Sequence, residues 1–430
     1  MDFDFQPFAT LLTEIVDNRG KTCPTASEGI PLIATNCISN NLLYPAYEKV
    51  RFVDKKTYDT WFRGHPKPGD LLFVTKGTPG RVCMVPNPVD FCIAQDMVAI
   101  RADENKIYPK YLFAILRTDY VQKQIEQLHV GTLIPHFKKG DFDKLMLPIP
   151  DRQTQIFVGD LYFNFSAKID LNRRMNETLE AMARAIFKSW FVDFDPVRAK
   201  AEGRDTGLPE EIADLFPDNF EETELGEVPE GWNVKALPEA IQVNPSRSLR
   251  KGEIAPYLDM GNMPTTSARA LQYYEREFGS GMKFVNNDTL VARITPCLEN
   301  GKTCFVDFLE ERQVGWGSTE YIVLSPKEPL PPEFAYFLAR TEVFRAFAIS
   351  NMTGTSGRQR VPAESLNQFM VAIPSSKIAE RFGEFASSII AVMKANDAES
   401  RTLAELRDTL LAKLISGELR VKEAEKLVGC

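Results

Sequence analysis

Two pairs of short segments carry the side chains best suited to chemistry in this sequence. Thr75-Lys76-Gly77-Thr78 and His136-Phe137-Lys138-Lys139 form one set, and Arg293 with Thr295 and Ser356-Gly357-Arg358-Gln359-Arg360 form the other. Lysine, arginine, threonine and loop backbone N–H groups bind phosphate oxygens, whereas Arg, Lys and Gln can make paired hydrogen bonds to base edges. Each set joins a segment at the end of a β-like run to one just past a Gly-Thr pair, Gly131-Thr132 or Gly354-Thr355. The candidates are Thr75, Lys76, His136, Lys138 and Lys139 in the first set and Arg293, Thr295, Arg358, Gln359 and Arg360 in the second. Taken singly, each is an ordinary solvated loop residue, and Phe137 reads as core. Their corresponding placement in both sets is what raises them above other charges.

Groups that make or break bonds are harder to find. No Asn/Asp-Pro-Pro-Tyr/Phe string occurs, the loop with which a methyltransferase acting on base amino groups holds a flipped base. Neither a Gly-x-Gly-x-x-Gly string nor the phosphate-cradling Gly-x-x-x-x-Gly-Lys-Ser/Thr loop is present. Seven scattered cysteines without a Cys-x-x-Cys, and only three histidines, argue against a structural metal or a disulfide framework. Asp90 with Glu104-Asn-Lys106 could in principle hold Mg²⁺ and a water, but the pattern has no counterpart in the second half of the chain and reads more simply as surface charge. The expectation is a chain with no catalytic residues and no metal site.

Those segments must be positioned by a chain of 430 residues with 44% hydrophobic, 26% charged and 10% aromatic residues, an ordinary globular composition long enough for more than one domain. No run approaches a membrane span, and Met1-Asp2-Phe3-Asp4 lacks a basic leader, so a cytoplasmic protein is expected. A net charge of −8 looks wrong for a partner rich in phosphate. Its source is local, however: the stretch from Gly203 to Glu230 holds ten acidic residues against Arg204 alone, so the rest of the chain is close to neutral.

The chain is written twice. Pro109 to Thr118 aligns without gaps to Pro332 to Thr341 at a shift of 223, and the same shift carries Gly131-Thr132 onto Gly354-Thr355. Leu12, Glu14 and Val16 fall on Leu237, Glu239 and Ile241 at 225, and Leu179, Met182, Ile186 and Trp190 fall on Leu403, Leu406, Leu410 and Leu414 at 224. In each copy a Gly- and Pro-punctuated portion mixes β-like runs (Leu71 to Thr75, Val82 to Val85) with helical stretches (Tyr111 to Leu128). Each portion closes on proline, at Pro148-Ile149-Pro150 and at Ala372-Ile373-Pro374.

Beyond each closing proline an apolar register in steps of three and four predicts a helix of about 40 residues, hence about 60 Å long. Its seam positions include Asn172, Leu179, Met182 and Ile186 in the first copy and Asn396, Leu403, Leu406 and Leu410 in the second. Two such helices in tandem copies predict mutual, antiparallel pairing, with Asn172 and Asn396 near the two midpoints facing one another to fix register. The expected fold class is α/β (α+β), with two tandem α/β domains separated by two long helices paired as an antiparallel coiled coil about a pseudo-two-fold. The parts are a first domain at 1–150, a first helix region at 151–202, an acidic connector at 203–230, a second domain at 231–374 and a second helix region at 375–430.

With Phe187-Lys-Ser-Trp-Phe-Val-Asp-Phe194, Leu225-Gly-Glu-Val-Pro-Glu-Gly-Trp232 and Leu414-Ile-Ser-Gly-Glu-Leu419, this duplicated order resembles the specificity (S) subunit of type I restriction-modification systems over essentially the whole chain. The resemblance implies a non-catalytic reader of double-stranded DNA, with one target-recognition domain per half of a bipartite asymmetric site and the helices as a ruler. It also implies two methylation (M) subunits and, where present, restriction (R) subunits as partners, with S-adenosylmethionine, ATP and Mg²⁺ held by those partners and not by this chain. The competing class is an assembly protein with tandem protein-binding domains on a helical stalk. It explains the helices but not the basic, amide-rich loops that recur in both copies.

Overall fold

The computed structural model describes residues 4–428 apart from Arg19, Thr132 and Ser356, with side chains described as far as Ala424. Thr132 and Ser356, members of the two segments singled out above, therefore lie outside the described residues. The chain divides into two compact units, one made of residues 1–172 with 399–430, the other of residues 173–398. Among the described residues no helix is long and apolar enough to cross a membrane.

In the first unit a four-stranded antiparallel sheet runs in the order Leu12–Asp17, Met97–Ala102, Leu71–Val74, Val82–Met84. Leu71–Val74 is buried at every residue, which is why it reads as an unbroken apolar run and not as an alternating one. A three-stranded sheet (Arg51–Val53, Ile30–Ile33, Cys92–Ile93) lies in the same unit, and Asp4–Pro7 pairs with Met146–Ile149. The second unit repeats the plan. Its main sheet runs Ile241–Val243, Tyr321–Pro326, Thr289–Ala292, Thr303–Phe305, and Asn233–Ala236 pairs with Met370–Ile373.

Hydrogen bonds correct the opening register of the repeat. Phe8 N donates to Leu145 O at 2.8 Å and Leu237 N to Phe369 O at 2.7 Å; Asp103 N donates to Leu11 O at 2.8 Å and Lys327 N to Ala240 O at 2.9 Å. The partners 145/369 and 103/327 keep the shift of 224, so Phe8 and Leu11 correspond to Leu237 and Ala240. Leu12 is therefore not the counterpart of Leu237, and the shift at the start is 229, not 225. The Leu, Glu, Val/Ile match was a coincidence of residue types on neighbouring turns and strands.

The expected helical stretch from Tyr111 to Leu128 is two helices, Pro109–Leu116 and Asp119–Leu128, because the Thr118 side chain accepts from Val121 N and starts a new helix. Thr341 does the same for Phe344 N between Glu333–Arg340 and Glu342–Ser350. The preceding arginine of each repeated Arg-Thr pair satisfies loop carbonyls: Arg117 those of Leu42 and Val82, Arg340 those of Thr265 (2.7 Å) and Gly301 (2.6 Å).

The two long helices are Arg152–Phe191 and Ser376–Ser416, of 40 and 41 residues. Asp151 starts the first by accepting from Thr154 N at 3.0 Å. Within each unit the helices pair antiparallel. In the first unit Arg407 stacks on Tyr162 (5.0 Å) and donates to Ser166 Oγ (3.3 Å), while Asn172 donates to Glu399 (2.7 Å) and Ser400 (3.3 Å). In the second unit Asn396 donates to Asn176 Oδ1 (2.8 Å), and the Phe187 and Phe382 rings meet at 5.5 Å.

Of the expected seam residues, Leu179 and Ile186 pack against the core of the second unit, Leu410 is buried in that of the first, and Leu403 is half-buried. Met182 and Leu406 are a correction: they are 50% and 46% exposed. Their neighbours Ala183 and Arg407 are the buried ones. A heptad count from Val158 drifts by about 20° per heptad against a straight helix, which by Met182 is most of one residue's angular step.

The acidic stretch is ordered within the second unit. Phe216 meets Trp190 edge-on at 5.1 Å, Phe220 meets Phe194 at 6.4 Å, and the hairpin Phe220–Thr223 with Gly226–Pro229 leaves Glu221, Glu222 and Glu227 in solvent.

Candidate nucleic-acid interface

The paired segments singled out in the sequence come together in each unit, through the same hydrogen bonds. In the first unit Phe137 N donates to Thr75 O (2.8 Å) and Gly77 N to Pro135 O (2.9 Å), a bridge of Lys76 with His136. In the second, Val361 N donates to Arg293 O (2.9 Å) and Thr295 N to Gln359 O (3.0 Å), a bridge of Ile294 with Arg360. A second bridge closes each loop on itself, Val130 with His136 and Thr353 with Arg360. The strand end and the post-turn segment thus form one small ribbon, present twice, whose tip starts at Gly131 or Gly354.

Both glycines are required by geometry. Gly131 has φ +95°, and a Cβ there would sit 2.7 Å from Ile134 O; Gly354 has φ +120°, with Arg358 O at 3.1 Å. Phe137, fully buried among Phe73 and Phe142, anchors the base of the first ribbon, and buried Val361 does so in the second.

The candidate side chains then separate by what holds them. Thr75 is buried, so its backbone frames the ribbon and its hydroxyl is not offered to a ligand; its selection as a contact residue is corrected to a framing role. Thr295 turns its hydroxyl to Met352 Sδ at 3.9 Å. Lys76 Nζ lies 3.9 Å from Asp96, and Lys139 is paired with Asp17. Arg360 is clamped by both oxygens of Glu320, at 2.8 and 2.9 Å from Nε, which hold its guanidinium pKa above the usual range. Arg293 is half-buried, with an Nε that has no hydrogen-bond partner among the described residues. His136 and Gln359 are half-buried. Lys138 and Arg358 are exposed and form no ion pair among the described residues.

Sequence reasoning missed the carboxylates. Asp96 O accepts from Thr75 N at 2.9 Å and Glu320 O from Arg293 N at 3.0 Å, so the two acids occupy the same place in the two ribbons. Their separation equals the repeat shift of 224, a signal that the basic residues beside them overshadowed. Each ribbon therefore carries an exposed cation, Arg358 on the tip of the second and Lys138 behind the base of the first, and a fixed counter-charge at its root.

Asp90 accepts from Tyr47 OH at 2.5 Å, and among the described residues no group of His, Cys, Asp and Glu is arranged to hold a metal. Exposed cations on a hydrogen-bonded loop frame suit contact with phosphates and base edges.

Residues 12–181 match the family described as Type I restriction modification DNA specificity domain. The chain is 26% identical over 408 residues to the type I restriction enzyme HindI specificity subunit of Haemophilus influenzae, covering 82% of this chain and 87% of that one. It is 21% identical over 413 residues to the type I restriction enzyme MjaIX specificity subunit of Methanocaldococcus jannaschii, covering 92% and 88%. Among solved structures, the S subunit of a type I restriction-modification system from M. genitalium covers 96% of both chains with a TM-score of 0.55 at 13% identity, a likeness of fold.

Proposed function

Since this chain belongs to the family of type I restriction-modification specificity subunits, we propose that it is the non-catalytic subunit that reads a bipartite, asymmetric DNA site. Each unit takes one half-site with its ribbon, and the long helices fix the spacer between the halves. The observation that carries this reading is the ribbon itself, built twice with the same hydrogen bonds and with an exposed cation on each, Arg358 on the tip of the second and Lys138 just behind the base of the first. Because the two tips differ in sequence, the two half-sites differ.

Two methylation subunits holding S-adenosylmethionine dock on this chain, and restriction subunits using ATP and Mg²⁺ join them where the host encodes these. Leu171, Met175 and Met182 on the first long helix and Val392 and Leu406 on the second are exposed apolar side chains available for such docking. The cytoplasm, where the DNA lies, is the compartment this role requires.

The test is carried out on the complex with the methylation subunits. Neutralising Lys138 with Lys139, or Arg358 with Arg360, by glutamine weakens salt-dependent DNA retention and leaves the fold intact, since exposed loop charges add little stability. Loss of a bidentate base contact by Arg358 or Gln359 relaxes one half-site only, by about 1–3 kcal/mol. Unchanged affinity and unchanged methylation specificity in both double variants would remove the ribbons from the interface.

A further inference from the structure

The two ribbons share a frame but not a tip. Between the bridging residues Val130 and His136 the first tip has five residues, and between Thr353 and Arg360 the second has six. This single extra residue is where the repeat shift passes from 223 to 224. On the six-residue tip stand Arg358 and Gln359. Counted back from the bridge, Arg358 corresponds to Ile134 and Gln359 to Pro135, so the five-residue tip carries aliphatic groups there: Ile134 is 57% exposed, with Leu133 at 96% beside it and Val130 at 48% at the root.

One exposed leucine needs no explanation, but two large aliphatic side chains at the end of a loop pinned at both ends, with a third exposed at its root, do. The pinning is specific, because Pro135 O accepts from Gly77 N and Phe137, directly behind the tip, is fully buried. The tip therefore cannot fold back into the core of its unit. Three side chains offer far less area than a protein partner needs. They are flanked by Lys138, which is free to meet a phosphate, and they stand where the other ribbon presents groups suited to hydrogen-bonding bases. In the major groove the apolar feature that a base pair offers at its edge is the thymine 5-methyl group.

Resting on the proposed function, we infer that Leu133 and Ile134 read thymine 5-methyl groups, so that the half-site of the first unit contains thymines recognised by apolar contact and that of the second unit is read by hydrogen bonds from Arg358 and Gln359. The two halves of the site are thus distinguished by different chemistry.

The test uses the complex with the methylation subunits and its own recognition site, found from the methylation pattern, in duplexes where deoxyuridine replaces thymine in one half-site at a time. Uracil keeps every hydrogen bond and lacks only the methyl group. One half-site, and only one, should lose about fourfold in affinity per contacted methyl, the worth of one buried methyl group. The loss should vanish in the Leu133→Ala/Ile134→Ala double variant, whose replaced side chains are exposed and leave the frame intact. Equal binding of thymine and uracil duplexes in both halves, or a loss that the double variant retains, overturns the inference. A wild-type complex with no sequence-selective binding at all overturns the proposed function, and this inference with it.

Discussion

Replacing Glu320 by glutamine isolates the counter-charge at the root of the second ribbon. In the native chain both Glu320 oxygens hold Arg360 Nε, at 2.8 and 2.9 Å, with Nη2 a further 2.8 Å from Oε1. The side chains are 42% (Arg360) and 23% (Glu320) exposed, so the pair adds little to folding. The backbone hydrogen bond from Arg293 N to Glu320 O does not depend on the side chain and persists. Glu320→Gln thus frees one guanidinium beside Arg358 with little structural cost. One additional phosphate contact steepens the fall of log K with log salt by about 0.9, which between 50 and 200 mM salt amounts to about 3- to 4-fold. Fluorescence anisotropy of the assembled complex on a non-cognate duplex, titrated at several salt concentrations, reads that slope directly. Asp96→Asn is the matched control. Asn is tolerated at the positive φ of 76°, and the pair it breaks spans 3.9 Å, so Lys76 is already loosely held and its slope should change less. A Glu320→Gln complex that is folded and has an unchanged salt slope would refute the assignment of this ribbon to DNA.

Matched four-residue insertions near residues 173 and 397, one in each long helix, lengthen each by about 6 Å; methylome sequencing should find a changed spacer and unchanged half-sites, and changed half-site bases at constant spacer would contradict the ruler. Arg269, 4% exposed, bridges Asp307 (2.5 Å) and Asp397, so Arg269→Met leaves two half-buried carboxylates without their shared cation and costs about 3 kcal/mol. Calorimetry should show the second unit melting about 6–12 °C lower. Gly354→Ala strains a backbone at φ +120° and displaces the tip, so methylation should lose discrimination in one half-site while the melting temperature moves little; equal loss in both halves would sever the link between this tip and one half-site.

How far the sequence could be read depended on whether a feature was local or relational. The duplication and the helix lengths were legible, because each left residues of like type at a near-constant separation or period, whereas the hydrogen bonds that join the strand-end and post-turn segments were not, since Thr75 and Arg293 share neither residue type nor the common shift. The opening register was not, since Phe8 and Leu237 share a hydrogen-bonding environment and no residue type. Which cations stay available was equally hidden: Lys139 meets Asp17 and Arg360 meets Glu320 only once distant strands are side by side. Met182 and Leu406 were misplaced because the helix keeps its own 3.6-residue period and its buried face follows Ala183 and Phe187 toward the sheet domain.

The division of the chain also sets an order of assembly during synthesis. The second unit, residues 173–398, is continuous, whereas the first lacks part of its core until Leu410, Leu411, Leu414 and Ala424 have been made. Asn172 and its partner Glu399 are separated by 227 residues, about 10–45 s of translation. The part of the protein made first is thus completed last, with Tyr162 and Val158 awaiting their cover while the later unit closes. A chain cut short in the second long helix between residues 398 and 410 has its second unit whole and its first open, and proteases can tell that product from a finished one.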